Sequence, residues 1–138
     1  MSFLLDTNVV SEWIKPRPNA GVMQWTDSTD EDRIFLSVIS LVELRYGIDR
    51  MASGRRQRRL EEWLLHELPH RFEGRILPVD ASVADACGSI ARRSELLGRS
   101  IEAMDALLAA TADVHQLTLV TRNISDFVVL KGVLNPWR

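Results

Sequence analysis

Cysteine is nearly absent from this sequence, with Cys87 the single one among 138 residues. One cysteine excludes an intrachain disulfide and a zinc site built from several thiolates. Long apolar runs are also missing, because none approaches the ~20 residues that a bilayer-spanning helix needs. The short apolar start meets a charge at Asp6 and carries no basic residue, so we expect no signal peptide, no membrane contact and a cytoplasmic location.

A surplus of positive charge is lacking as well. The 17 Lys and Arg residues are outnumbered by 19 Asp and Glu residues, which gives a formal net charge of -2. This balance excludes a protein that coats nucleic acid through its overall charge, so any RNA contact must use a local basic patch. The densest patch is Arg55, Arg56, Arg58 and Arg59, which is either a solvated helix start or a contact for RNA or a partner.

Apolar residues are plentiful, at 46% of the chain, so a substantial core can form. The length suits one domain better than two, and we expect residues 1–138 to form a single one. Apolar segments predict strands at residues 3–5, 34–36, 76–79 and 117–120, with a possible fifth in 128–134. Helical patterns lie between them, which predicts a three-layer α/β domain with a central parallel sheet of four to five strands flanked by helices.

Several helix boundaries follow from capping and breaking residues. Asn19 and Asp80 are predicted N-caps. Ser40 and Glu43 match the S-x-x-E capping box, so a helix should open at Ser40 with Glu43 in its first turn. Pro69 is expected to end a helix, because proline lacks the N–H that the next turn requires.

Three carboxylates should lie at one edge of the sheet. Asp6 follows the first strand, Glu43 lies near the start of the helix after the second strand, and Asp105 lies in the first turn of the helix before the fourth. Ligands of open α/β sheets bind at this edge, beyond the carboxyl ends of the strands. Converging carboxylates repel one another and need a cation, and hard oxygen ligands favour Mg²⁺ or Mn²⁺.

Each of these acids also has a purely structural interpretation, which the sequence leaves open. Asp6 could cap the first helix, Glu43 could belong to the capping box, and Asp105 could interact with its helix dipole. Their expected convergence, rather than any one position, indicates a site.

The same residues carry a resemblance to PIN-domain proteins. The matching segments cover most of the chain in the family's order: residues 4–12 (LLDTNVVSE), 37–44 (SVISLVEL), 105–112 (DALLAATA), 120–123 (VTRN) with 126–127 (DF), and 135–137 (NPW). The last segment is similar to the FitB-like branch of the VapC toxins. Each segment is a weak signal by itself, but the ordered set is specific.

The resemblance implies a ribonuclease toxin of a type II toxin–antitoxin pair that hydrolyses RNA phosphodiester bonds. Asp6, Glu43 and Asp105 would be its catalytic and Mg²⁺- or Mn²⁺-binding residues. The implied partners are RNA, a small cognate antitoxin with a DNA-binding domain, and a second copy of the chain in a homodimer. The alternative is a catalytically weak PIN-fold protein that serves mainly as a binding partner in an antitoxin and DNA complex.

The fourth acidic position of the family departs from its pattern here. Asn123 stands where the family often has an acid, and Asp126 follows three residues later, so either could be the additional residue. We expect Asp126 to be a weak or indirect ligand, with a turn cap as the alternative. Thr7, Asn8 and Thr121 have polar groups suited to orienting the acids or the attacking water, or to capping helices and turns.

Other features of the sequence imitate functional motifs. His66 to His70 spell H-E-x-x-H, the zinc-protease signature, but Pro69 lies between the histidines and argues against one regular helical face. Cys87 occupies an apolar helical position, which indicates packing. Of the four tryptophans, Trp63 is predicted to lie in the core. Trp13, Trp25 and Trp137 either pack in the core or stack on RNA bases.

Overall fold

A computed structural model describes all 138 residues of the chain. Its central sheet has five strands in the order β3-β2-β1-β4-β5, and every neighbouring pair is parallel. The strands are β1 (Phe3–Leu5), β2 (Ile34–Ser37), β3 (Ile76–Leu77), β4 (Thr118–Val120) and β5 (Val133–Leu134). The predicted parallel sheet is confirmed, and the fifth strand forms over two residues of the apolar stretch 128–134.

Helices cover both faces of this sheet. They are α1 (Thr7–Trp13), α2 (Ala20–Ser28), α3 (Val38–Asp49), α4 (Arg55–Glu62), α5 (Leu68–Arg71), α6 (Ala81–Leu96) and α7 (Ala103–Val114), with 3₁₀ turns at Glu31–Arg33 and Ile124–Phe127. A π-helical stretch, Trp63–Glu67, joins α4 to α5. None of the helices is long and apolar enough to cross a membrane.

The three layers follow from the alternation of side chains along the strands. Leu5 of β1 and Val120 of β4 face one core, with the apolar sides of α1 to α5. Leu4 and Leu119 face the opposite core, which α6 and α7 complete. Because all four side chains are fully buried, the sheet lies between two helical layers, as predicted.

Two helix boundaries differ from the sequence prediction. Helix α3 begins at Val38, and the Ser37 side chain caps it by accepting a hydrogen bond from the Ile39 N–H at 3.0 Å. Ser37 ends β2 with extended backbone angles, so strand and helix join without a loop. The predicted capping box of Ser40 and Glu43 is therefore wrong, and Glu43 lies in the second turn. Asn19 and Asp80 cap α2 and α6 as predicted.

Pro69 does not end its helix, contrary to the prediction. Leu68 keeps helical backbone angles of φ -64° and ψ -48°, and helical structure continues to Arg71. The π-helical stretch immediately before Leu68 changes the hydrogen-bond register, and Pro69 then lies in the first turn of α5, where its missing N–H costs little.

Candidate active site

Asp6 links the end of β1 to the start of α1. Its backbone N–H donates to the Val120 carbonyl at 2.9 Å, which ties the end of β1 to β4. One carboxylate oxygen, Oδ1, accepts from the Thr7 N–H at 2.7 Å. The other, Oδ2, accepts from the Thr121 hydroxyl at 2.7 Å and, at 3.4 Å, from the Asn8 amide. Thr121 and Asn8 therefore orient the carboxylate, in the role that the sequence suggested for them.

Glu43 reaches the same edge from α3. The Thr7 hydroxyl lies 2.6 Å from Glu43 Oε1 and 2.9 Å from the Ser40 hydroxyl. A carboxylate can only accept, so Thr7 donates its one hydrogen to Glu43, and Ser40 is left to donate to Thr7. Glu43 Oε2 makes no hydrogen bond. Ser40, which the sequence presented as a helix cap, instead helps to join α1 to α3.

Asp105 completes the group from the first turn of α7, where it was predicted. The pKa of Asp105 is raised to about 6, mainly by burial and in addition by the negative charges of Asp6, Glu43 and Asp126. Burial also raises the pKa of Asp6, despite its hydrogen bonds from Thr121 and Thr7, and Glu43 and Asp126 add to this effect. The structure thus places Asp6, Glu43, Asp105 and Asp126, called here the acidic cluster, within electrostatic reach of one another.

The additional candidates at the fourth strand end differ in their contacts. Asn123 is exposed, and its backbone N–H donates to the Thr121 hydroxyl at 3.0 Å while its side chain makes no hydrogen bond. Asp126 lies in the 3₁₀ turn, and its carboxylate accepts from Arg99 Nη2 at 3.0 Å. Together with Ser100, Ile101, Glu102 and Asp105, Asp126 lines a cavity of about 300 Å³. Nothing in the sequence around Arg99 indicated this contact.

The donor set of the acidic cluster fits a hard divalent ion. All of its side-chain ligands are oxygens, with no histidine or thiolate among them. The cluster also lacks the positive charge that would balance its three most buried members, because no salt bridge includes Asp6, Glu43 or Asp105. As they stand, no three carboxylates are close enough to share one ion, so binding would draw them together.

A family model described as PIN domain matches residues 3–129. The chain is a PIN-domain protein. It is 40% identical to "Toxin FitB" of Neisseria gonorrhoeae, over 97% of each chain. It is 33% identical to "VapC ribonuclease Y4jK" of Sinorhizobium fredii, over 97% of this chain and 96% of the relative.

A solved structure agrees with these sequence relatives. "Structure of FitAB bound to IR36 DNA fragment" superposes with a TM-score of 0.93 at 37% identity and covers 99% of this chain and 96% of that one. The predicted resemblance to PIN domains of the FitB-like VapC branch is confirmed by these similarities, as is the three-layer fold.

The basic patch of this PIN domain stands apart from the acidic cluster in its contacts. Arg55, Arg56, Arg58 and Arg59 are exposed on α4 and form no salt bridge. Arg56 Nη2 lies 3.4 Å from the Ile14 carbonyl, the one hydrogen bond from these four side chains to another element. The patch is therefore available for a contact, and its role in RNA or partner binding stays a prediction.

The H-E-x-x-H segment does not form a zinc site. His66 and His70 are both exposed, and His66 Nε2 lies 3.5 Å from Glu62 Oε1 on the same helical run. Neither histidine belongs to a group of three histidine, cysteine or acidic side chains that are close enough to share a metal ion. The motif is a coincidence, although the predicted reason, a helix broken at Pro69, is wrong.

The remaining candidates are partly buried and pack against the two cores. Cys87 is half-buried against the core on the α6 and α7 side, and burial raises the pKa of its thiol. All four tryptophans pack against the opposite core: Trp13, Trp25, Trp63 and Trp137. Trp13 stacks on Phe72, with ring centroids 6.2 Å apart. Packing is therefore the role that the structure gives to each of them.

Proposed function

We propose that this chain is a metal-dependent endoribonuclease that uses Mg²⁺ or Mn²⁺ and is the toxin of a type II toxin–antitoxin pair. The observation that carries the proposal is that three carboxylates of the acidic cluster, those of Asp6, Glu43 and Asp105, lie without a positive partner at the ligand-binding edge of a PIN-domain sheet. Such a group is costly unless something binds it, because burial and like charge both disfavour ionised carboxylates.

Asp6 and Asp105 are the side chains that would hold the ion, with Glu43 as a further ligand or as the base that acts through water. When bound, a divalent ion balances the carboxylates and supplies Lewis acidity toward water and phosphate oxygens. Thr121 and Asn8 keep Asp6 in one orientation. Thr7 holds Oε1 of Glu43, which leaves Oε2 free to ligate or to accept a proton from the attacking water.

The proposed partners are inferred from relatives of the chain. The relatives include a protein named as a VapC ribonuclease and a FitAB complex on DNA, so we propose RNA as the substrate and a small DNA-binding antitoxin as the partner. A homodimer is proposed from the resemblance to PIN-domain toxins alone. These molecules belong to the cytoplasm, which is where we place the protein.

A cleavage assay with a matched substitution tests this proposal. The purified, nuclease-free protein should cut RNA internally with added Mn²⁺ or Mg²⁺ and should stop when EDTA is added. Asp113 is an exposed acid at the other end of the helix that carries Asp105, so Asp113→Asn is a control of identical chemistry. We expect Asp113→Asn to cut RNA and Asp105→Asn to fail. If the wild-type protein binds an antitoxin and DNA but cuts no RNA, the binding-partner alternative is correct.

A further inference from the structure

Arg99 is the one cation paired with the acidic cluster. Its Nη2 lies 3.0 Å from Asp126 Oδ1 and 3.5 Å from the Ser125 hydroxyl. No other salt bridge in the chain includes a carboxylate of the cluster. Arg122, which directly follows Thr121, instead lies over the Trp137 ring, 5.6 Å from its centroid.

The backbone of Arg99 is held in place rather than loosely tethered. Its N–H donates to the Ser94 carbonyl at 3.0 Å, and its carbonyl accepts from the Ser94 hydroxyl. Ser94 is buried in the last turn of α6, and Gly98 turns the chain with a positive φ of 77° that favours glycine. The guanidinium is therefore presented from a fixed point beside the cluster.

Arg99 keeps part of its binding capacity free. A guanidinium has five N–H donors, and only Nη2 of Arg99 is engaged, whereas Nε and Nη1 make no hydrogen bond. The side chain is 47% exposed, and these donors have no hydrogen-bond partner within the chain. The next residues of the loop, Ser100 to Glu102, line the cavity that also contains Asp105 and Asp126.

When an RNA strand approaches the four carboxylates of the acidic cluster, their negative charges repel its phosphates. A cation at the edge of the cluster reduces this repulsion, and the planar fork of an arginine matches a phosphate group better than a lysine does. We propose that Arg99 binds an RNA phosphate next to the cleaved bond, using its free Nε and Nη1 donors. This inference rests on the proposed ribonuclease function and assigns one residue to substrate binding.

RNA binding without cleavage tests the inference separately from activity. In an Asp105→Asn background with EDTA, anisotropy of a labelled single-stranded RNA of about 12 nucleotides gives the affinity across a salt series. We expect Arg99→Gln to weaken binding and to reduce the slope of log K against log salt by about 0.7, the value for one lost phosphate contact on a single strand. Arg92→Gln is the control, because Arg92 is an exposed arginine of α6 that pairs only with Glu95.

A second substitution separates phosphate binding from a purely structural role. Asp126→Asn removes the negative partner of Arg99, so it should strengthen RNA binding, and Arg99→Gln added to it should abolish that gain. If Arg99 only holds the turn at residues 124–127, both single variants weaken binding alike and the double variant is no worse, which overturns the inference. An unchanged salt slope in Arg99→Gln also overturns it. If the wild-type protein fails to cleave RNA, this result would instead count against the proposed function.

Discussion

Asp6 and Glu12 lie at opposite ends of the same short helix, and both residues are buried, with 7% and 5% of their surface exposed, yet their surroundings are opposite in kind. Glu12 accepts from Lys15 Nζ at 2.8 Å and from the Asn19 N–H at 2.7 Å. These contacts, with that to Lys15 the largest, hold the pKa of Glu12 below its usual value. Asp6 instead faces Glu43 and Asp126, and its pKa is raised.

The difference separates a carboxylate that stabilises the fold from one that we propose binds the metal ion. Glu12 fastens the end of α1 to the start of α2, so its charge stabilises the fold. Asp6 and Asp105 lie in a site that disfavours their ionised form, so the fold loses stability when these carboxylates are charged. Removing charge should therefore harm stability at Glu12 and harm only function at Asp6 and Asp105.

The largest expected effect is on catalysis. Asp6→Asn and Asp105→Asn should each lower RNA cleavage by at least about 100-fold, because each removes a charged oxygen from the ion-binding group. Glu12→Gln should cut RNA at a rate close to that of the wild type, provided that circular dichroism shows it folded at the assay temperature. Wild-type activity in either aspartate variant would show that the assigned site is wrong.

Ion affinity should rank the members of the cluster. Isothermal titration with Mn²⁺ should show a greater loss for Asp105→Ala than for Asp126→Ala, because the Asp126 charge is already partly balanced by Arg99. Asn123→Asp should tighten binding, since it adds a charge at the strand end. Equal losses in the two alanine variants would make Asp126 a direct ligand.

The parts of this site that follow from sequence are those fixed by neighbouring residues. Asp6 had to lie at the sheet edge because it directly follows β1, and Asp105 because it opens α7. The pairing of Thr7 with Glu43 depends on how α1 packs against α3, which local pattern does not contain. Arg99 reaches Asp126 across 27 positions of sequence, so no motif could indicate it.

The errors in the predicted fold also have local physical causes. The capping-box pattern pointed to Ser40, but the backbone stays extended only as far as Ser37, so Ser37 caps α3 instead. Pro69 carries a strong signal to end a helix, but the π-helical stretch before it removed the hydrogen bond that proline would have broken. The strand pattern succeeded because buried pairs such as Leu4 and Leu5 face two cores at once.

The next largest difference is expected in the free energy of unfolding, which should fall when Glu12 loses its charge but not when Asp105 does. Glu12→Gln should lower the free energy of unfolding by about 1–3 kcal/mol, because it removes a charged acceptor from the Asn19 backbone N–H and from Lys15. Asp105→Asn should not lower it at pH 7 in EDTA. Urea denaturation measures both, and a destabilised Asp105→Asn protein would indicate that Asp105 is a structural residue like Glu12.

The smallest expected effect is a pH dependence of opposite sign at the two sites. The pKa of Asp105 is raised from 3.8 to about 6, so its ionisation costs stability as the pH rises through this range. In EDTA, Asp105→Asn should therefore melt a few degrees above the wild type at pH 7 and close to it at pH 4. Glu12, with a lowered pKa, stabilises at neutral pH and loses this contribution as the pH falls below about 4.5. Thermal melts of the wild type, Asp105→Asn and Glu12→Gln between pH 4 and 7 measure these effects. We expect the difference in melting temperature between Asp105→Asn and the wild type to shrink as the pH falls, and a difference that grows would contradict the assignment.

The most direct test of the acidic cluster is anomalous diffraction from crystals of the protein soaked with Mn²⁺. We predict a manganese peak within bonding distance of Asp6 and Asp105 carboxylate oxygens, and no such peak in Asp105→Asn crystals. A manganese peak elsewhere on the chain, with none at Asp6 and Asp105 in a crystal of the active protein, would contradict the proposed metal site.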